Sequence, residues 1–170
     1  MENLYLLLVI VLAVLAIGDL IVGVSNDAVN FLNSAVGSKA ISLRTIMILA
    51  GLGVAFGAFF SSGLMEVARK GIFNPGEFYF DEIILIFTAV MLTDILLLDF
   101  FNTLGMPTST TVSIVFELLG AAVFMSLIKI TSSSGEISDL INYINTSKAI
   151  QIISGIILSI IVALTIGAIV

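Results

Sequence analysis

Apolar residues come in long runs spaced along the whole chain, each close to the roughly 20 residues a helix needs to cross a bilayer, and polar stretches separate them. Residues 3–24 form the first run. The polar sequence Ser25-Asn26-Asp27-Ala28-Val29-Asn30 interrupts it before small and apolar residues resume over 31–36, which predicts a broken first helix. A second run over 45–65 carries Gly51, Gly53, Gly57, Ala58 and Gly63, residues small enough for neighbouring helices to approach closely, so that face is expected to pack against protein. Residues 66–82, with a turn at Pro75-Gly76, read as a solvated loop. A third run covers 83–104. Gly105-Met106-Pro107-Thr108-Ser109-Thr110-Thr111 then breaks the pattern, and a new helix is expected to start at Pro107, where a missing N–H costs nothing, and to continue to about residue 128. The polar segment 131–148 reads as an aqueous loop and 149–170 as the last span.

The pattern therefore predicts an all-α, polytopic membrane protein with about four spanning helices, a broken first helix and a re-entrant helical segment at the Pro-Thr-Ser-Thr-Thr motif. Residues 1–170 read as a single membrane domain. The last run stops without a polar flank, which suggests that the natural polypeptide continues and that residues 1–170 are a fragment or half of it. Residues 4–17 could pass for a signal-peptide core, but Met1-Glu2-Asn3 supplies no basic flank and no cleavage pattern follows.

Composition strengthens the membrane reading. Apolar residues make up 59% of the chain and charged residues 11%, more apolar surface than a soluble core of this size could hide. The expected location is the cell membrane, as a multi-pass integral protein. Lys39 and Arg44, against Arg69 and Lys70 diluted by acids, place the N-terminus outside by a narrow margin. There is no cysteine and no histidine, so thiolate chemistry and histidine relays are excluded within the chain. Nucleotide-binding loops and zinc motifs are absent, and Ser109 has no nearby base, so the chain is read as no enzyme, without cofactor and without nucleic-acid partner.

Charge changes the picture more than composition. Five of the twelve acids, Asp19, Asp27, Asp94, Asp99 and Glu117, lie inside or at the ends of apolar segments, while all six basic residues lie at segment ends or in loops. A carboxylate at membrane depth is costly unless compensated, which leaves sodium, a proton, a water-filled cavity or another chain as the partner of Asp27. Asn26, Asp27 and Asn30 supply the oxygen ligands that suit a hard cation, with Asn26 and Asp27 as the candidate sodium ligands; an ordinary interhelical loop reads equally well on that stretch alone. Thr108, Ser109, Thr110 and Thr111 at a helix start offer hydroxyl and N–H donors to a tetrahedral oxyanion, against the alternative of a plain N-cap. Together the two breaks suggest cation-coupled movement of phosphate or sulfate. Asp94, Asp99 and Glu117 are read as network members rather than ligands; Asp94 and Asp99, five apart, do not share one helical face well.

Three motifs in order then resemble the inorganic phosphate transporter family: Gly23-Val24-Ser25-Asn26-Asp27-Ala28-Val29-Asn30 with Ala35-Val36-Gly37-Ser38, Glu66-Val67-Ala68-Arg69-Lys70-Gly71-Ile72, and Gly105-Met106-Pro107-Thr108-Ser109-Thr110-Thr111. The resemblance covers residues 18–125. It implies a sodium- or proton-coupled phosphate carrier, sodium favoured, assembled from two inverted repeats, of which this chain holds one; the other comes from the same chain or a homo-oligomer partner. It further implies that Asn26, Asp27 and Asn30 bind cation, that Asp27, Asn30, Ser109, Thr110 and Thr111 bind phosphate, and that the varying Thr108 matters less. Ser25, Val112 and Glu117 depart from the family pattern, replacing alanine, histidine and a small or apolar residue. A sulfate permease of the same family and a non-transporting membrane assembly subunit remain as alternatives.

Overall fold

The computed structural model describes residues 2–61, 71–106 and 108–169, and among them the chain is helical without a strand. Helix α1 spans Glu2–Ser38, α2 Leu43–Phe59, α3 Phe80–Leu104, α4 Thr110–Ser132 and α5 Thr146–Ile169. Four of these, α1, α3, α4 and α5, are long and apolar enough to cross a membrane, which agrees with the all-α polytopic reading. Expectations that rest on Pro107 and on Glu66 to Lys70 fall outside the described residues.

Helix α1 corrects the expectation of a break. It runs through Ser25 to Asn30 as one helix of 37 residues, because each polar side chain there finds a partner without opening the backbone. Ser25 donates to the Ile21 carbonyl one turn back at 2.8 Å, and Asn26 reaches sideways to α3. At 1.5 Å per residue α1 is about 55 Å long, well beyond the ~30 Å hydrocarbon layer. Helix α3 packs parallel to it: Tyr5 stacks edge-on with Phe80, a Cβ at Gly18 would lie 3.4 Å from Ile95, and Asn26 bonds Asn102. Small residues on α1 therefore set how closely α3 approaches.

Helix α3 ends at Gly105, whose φ of +68° suits a residue without a Cβ, and its N–H and that of Met106 return to the Asn102 and Phe101 carbonyls. The chain then reverses into α4. The first helical residue is Thr110 rather than the expected position 107, since Ser109 acts as N-cap and accepts from the Val112 N–H. At 23 residues, about 35 Å, α4 has the length of a span where a re-entrant half-helix was expected. The reversal nevertheless sits beside α1, not past its end: Asn30 bonds the Thr108 carbonyl, and eight further residues, about 12 Å, carry α1 on to Ser38.

At the opposite end of α3 and α4 lies the core, where Ile72, Phe73, Phe78, Ile86, Val90, Val115, Leu118, Ala122 and Ile144 bury one another. Of the expected solvated loop, Ile72, Phe73 and Phe78 are instead drawn inward, while Gly76 and Glu77 stay exposed. Asn74 N–H donates to the Tyr143 carbonyl at 2.8 Å and Asn145 N–H to the Ile72 carbonyl at 3.0 Å, so two polar loops pair their backbones and release Ile72 and Phe73 into the core. The turn at Pro75-Gly76 is present as a single 3-10 turn. Lys129 caps this end, paired with Glu82 at 2.8 Å and lying 4.2 Å above the Tyr79 ring. By contrast, a Cβ at Gly51, Gly53 or Gly57 would meet nothing, so the small-residue face of α2 packs against none of the described residues.

Candidate functional site

The site forms where the start of α4 meets the flank of α1. Parallel packing of α1 and α3 brings Asn26 and Asn102 to the same level, and the tight reversal after Gly105 delivers Thr108 and Thr110 to the next turn of α1. Asn26 Nδ2 donates to Asn102 Oδ1 at 2.9 Å, and Asn102 Nδ2 points to the Val22 carbonyl at 3.4 Å. Thr110 Oγ1 stands 3.3 Å from both carboxylate oxygens of Asp27. Asn30 Nδ2 donates to the Thr108 carbonyl at 3.1 Å.

Of the residues singled out from the sequence, Asn26, Asp27, Asn30 and Thr110 are thus brought together. Ser109 is exposed and occupied as the α4 cap, while Thr111 is exposed and bonds none of the α1 residues. Asn102 was missed. It lies at the end of an apolar run, three residues before Gly105, and only the presence of an amide among apolar neighbours hinted at a role. Asp99 is exposed and separates from the network in which it was placed, whereas Asp94 is 2% exposed and lies within hydrogen-bonding reach of Asp19 and Glu117.

Two features define what this arrangement can do. Asn26 is 2% exposed and its Oδ1 has no hydrogen-bond partner, although such a group normally finds one. Beside it is a small cavity of about 60 Å³ lined by Asn26, Val29, Phe101, Asn102, Gly105 and Met106, roomy enough for a water or a bare monovalent cation. On the other flank of the reversal an open groove of about 440 Å³ is lined by Thr108, Ser109, Val112, Ser113 and Glu117, so the hydroxyls at the α4 start face open space. An orphan amide oxygen beside a small cavity suits a cation; hydroxyls at a helix start suit an anion.

A helical membrane bundle with a helix start aimed at the polar flank of a neighbour has the architecture of a solute carrier. The model of the phosphate transporter family matches residues 23–170, and the chain belongs to that family. It is a multi-pass integral membrane protein. Over 99 residues, 56% of the chain, it is 36% identical to a protein of Thermococcus kodakarensis and 37% identical to one of Pyrococcus furiosus, both provisionally named phosphate permeases. A similarly named protein of Helicobacter pylori is 34% identical over 99 residues. The aligned stretch spans 24% of the length of the first two and 19% of the third. No solved structure is significantly similar to the chain.

Proposed function

We propose that this chain forms part of a carrier that moves inorganic phosphate across the membrane together with a cation, sodium in preference to a proton. One observation carries the coupling: Asp27 sits against the first residue of α4, both its oxygens 3.3 Å from the Thr110 hydroxyl, at the end of the helix that would receive an anion. There the positive end of the helix dipole and the first-turn N–H groups favour negative charge. A carboxylate already at that place repels a phosphate, since two like charges a few ångströms apart in a low-dielectric site interact by several kcal/mol at an effective dielectric of about 20. Neutralising Asp27 removes the repulsion. A cation bound by Asp27 and the orphan Oδ1 of Asn26 therefore raises anion affinity, and by linkage the anion raises cation affinity equally.

Among the described residues no lysine or arginine bonds Asp27, which leaves the charge for an exchangeable ion. Oxygen ligands and the small cavity favour sodium. Asn30, Ser109, Thr110 and Thr111 would hold phosphate oxygens, with Ser109 exchanging its cap bond or donating its free hydroxyl hydrogen. The remaining walls of the site come from a second inverted repeat of the same natural chain or from a second copy.

Radiolabelled phosphate uptake by proteoliposomes of the full natural protein tests the reading, with and without a sodium gradient. Sodium should drive uptake in the wild type and not in Asp27→Asn, and Ser109→Ala should weaken it. Uptake driven only by a pH gradient would replace sodium by a proton; sulfate uptake without phosphate uptake would overturn the substrate.

A further inference from the structure

A second polar layer lies deeper in the bundle. Counting back along the parallel helices, Asp19 is seven residues before Asn26 and Asp94 eight before Asn102, while Glu117 is seven past Thr110 on antiparallel α4. Three helices thus present a carboxyl group at one level, about two turns and 11–12 Å from the Asn26–Asn102 pair. Asp94 is 2% exposed and lies within hydrogen-bonding reach of both others.

The cluster is short of donors. Asp19 Oδ1, Asp94 Oδ1 and Glu117 Oε2 are buried with no partner among the described residues, where the Ser113 hydroxyl, 2.8 Å from Glu117 Oε1, supplies a hydrogen bond to the group. Ionised carboxylates only accept, so the pairs Asp19–Asp94 and Asp94–Glu117 leave these oxygens unsatisfied and set like charges side by side. No basic side chain of the described residues joins them: Lys129 is twelve residues up α4 and paired with Glu82, and Lys39, Arg44 and Lys148 are exposed. Asp27 and Asp99, the next acids along α1 and α3, are respectively engaged by Thr110 and exposed. Protons, a metal ion, water or groups outside the described residues make up the deficit. The three carboxyls do not converge in a metal-holding geometry among the described residues, whereas a proton between two carboxyl oxygens needs only the pairwise contacts present.

We propose that Asp19, Asp94 and Glu117 form a buried carboxyl cluster that binds an exchangeable proton, a site distinct from the Asn26–Asp27 site. An O–H bond forms on one carboxyl oxygen and the hydrogen is donated to its neighbour, so the cluster falls by one negative charge per proton taken up. Glu117 and Ser113 line the open groove, which also holds Thr108 and Ser109, so water in that groove delivers and removes the proton.

Infrared difference spectra of the full natural protein in lipid, recorded on stepping bulk pH at fixed sodium and with no phosphate present, read the cluster apart from any transport. A protonated-carboxyl C=O band should shrink as pH rises and shift in heavy water. Asp94→Asn should remove at least half of its amplitude and Glu117→Gln should reduce or shift it, while Asp27→Asn leaves it. Glu117→Gln, at a half-buried position, keeps the test decisive where Asp94→Asn fails to fold. A band indifferent to Asp94→Asn and Glu117→Gln, or lost in Asp27→Asn, overturns the proposal; so does a band abolished by sodium at constant pH, which would make the cluster a metal site. Because phosphate is absent, these outcomes stand whether or not the carrier moves phosphate.

Discussion

Replacing Asn102 by leucine isolates the amide pair that joins α1 to α3. The substitution keeps the approximate size of the side chain and removes the acceptor of the 2.9 Å bond from Asn26 as well as the long 3.4 Å approach to the Val22 carbonyl. Asn26, 2% exposed and already lacking a partner for Oδ1, would then have both amide atoms unpaired. In a soluble core, an orphaned polar group costs about 1–3 kcal/mol. In a membrane the unfolded reference state also finds polar partners, and interhelical hydrogen bonds measured by double-mutant cycles average about 0.6 and reach about 1.7 kcal/mol. Short geometry and deep burial place this bond in the upper half of that range, so Asn102→Leu should destabilise by about 1–1.7 kcal/mol. Replacing both asparagines by leucine should restore most of that loss, since no amide remains to be desolvated. Equilibrium unfolding in mixed micelles of wild type, both single variants and the double variant measures the coupling. Additive single effects, within about 0.3–0.5 kcal/mol, would show that the two amides do not share a bond and would refute the parallel register of α1 and α3.

Other consequences are accessible to the same assay or to uptake. Gly105→Ala forces a Cβ into a φ of +68° with no clash around it, so backbone strain alone should lower stability by about 1 kcal/mol, while Gly51→Ala should be close to neutral in this chain. Phe73→Ala removes a ring 1% exposed that contacts Phe78 and Phe87 edge-on, and a loss of about 3–5 kcal/mol is expected. Lys129→Met deletes the ion pair with Glu82, whose side chains are 22% and 19% exposed, and the cation over Tyr79, which together should weaken unfolding resistance by about 1 kcal/mol, with little effect on uptake. Thr110→Val keeps the shape of the α4 start and removes the hydroxyl on Asp27; sodium should then bind with altered affinity, read as a shifted sodium dependence of phosphate uptake.

How far the sequence could be read depended on whether the information was local. Run length and composition sufficed for the spans at α1, α3 and α5, because the bilayer sets a length any spanning helix must satisfy, whereas the hydroxyl run at its start led α4 to be read as re-entrant. That Asp27 and Asn30 would meet the hydroxyl run at 108–111 was also legible, since polar residues inside apolar runs need partners and few were on offer. The supposed break in α1 failed for a related reason. Polarity at Ser25 to Asn30 says that hydrogen bonds must be made, but not whether the backbone opens or side chains reach out, and in the structure Ser25 turns back on its own helix while Asn26 turns to α3. Asn102 and the burial of Ile72 and Phe73 were hidden for the opposite reason: each depends on a contact about seventy or more residues away in sequence.

The same non-local packing explains why the acids of this chain differ in their fates despite similar surroundings in sequence. Asp94 and Asp99 both lie in the apolar run of α3, yet a five-residue offset turns one toward α1 and α4 and the other outward. Asp19 and Asp27, both on α1, are eight residues apart and share a face, so the parallel α3 and antiparallel α4 meet them at successive levels. At the upper level α4 contributes its first residue, with a hydroxyl and a positive dipole end that favour negative charge. At the lower level α4 contributes Glu117, mid-helix, where no free N–H groups remain to offset charge. Helix α4 thus meets the two aspartates of α1 at its end and at its middle, and so gives two acids of one helix different surroundings.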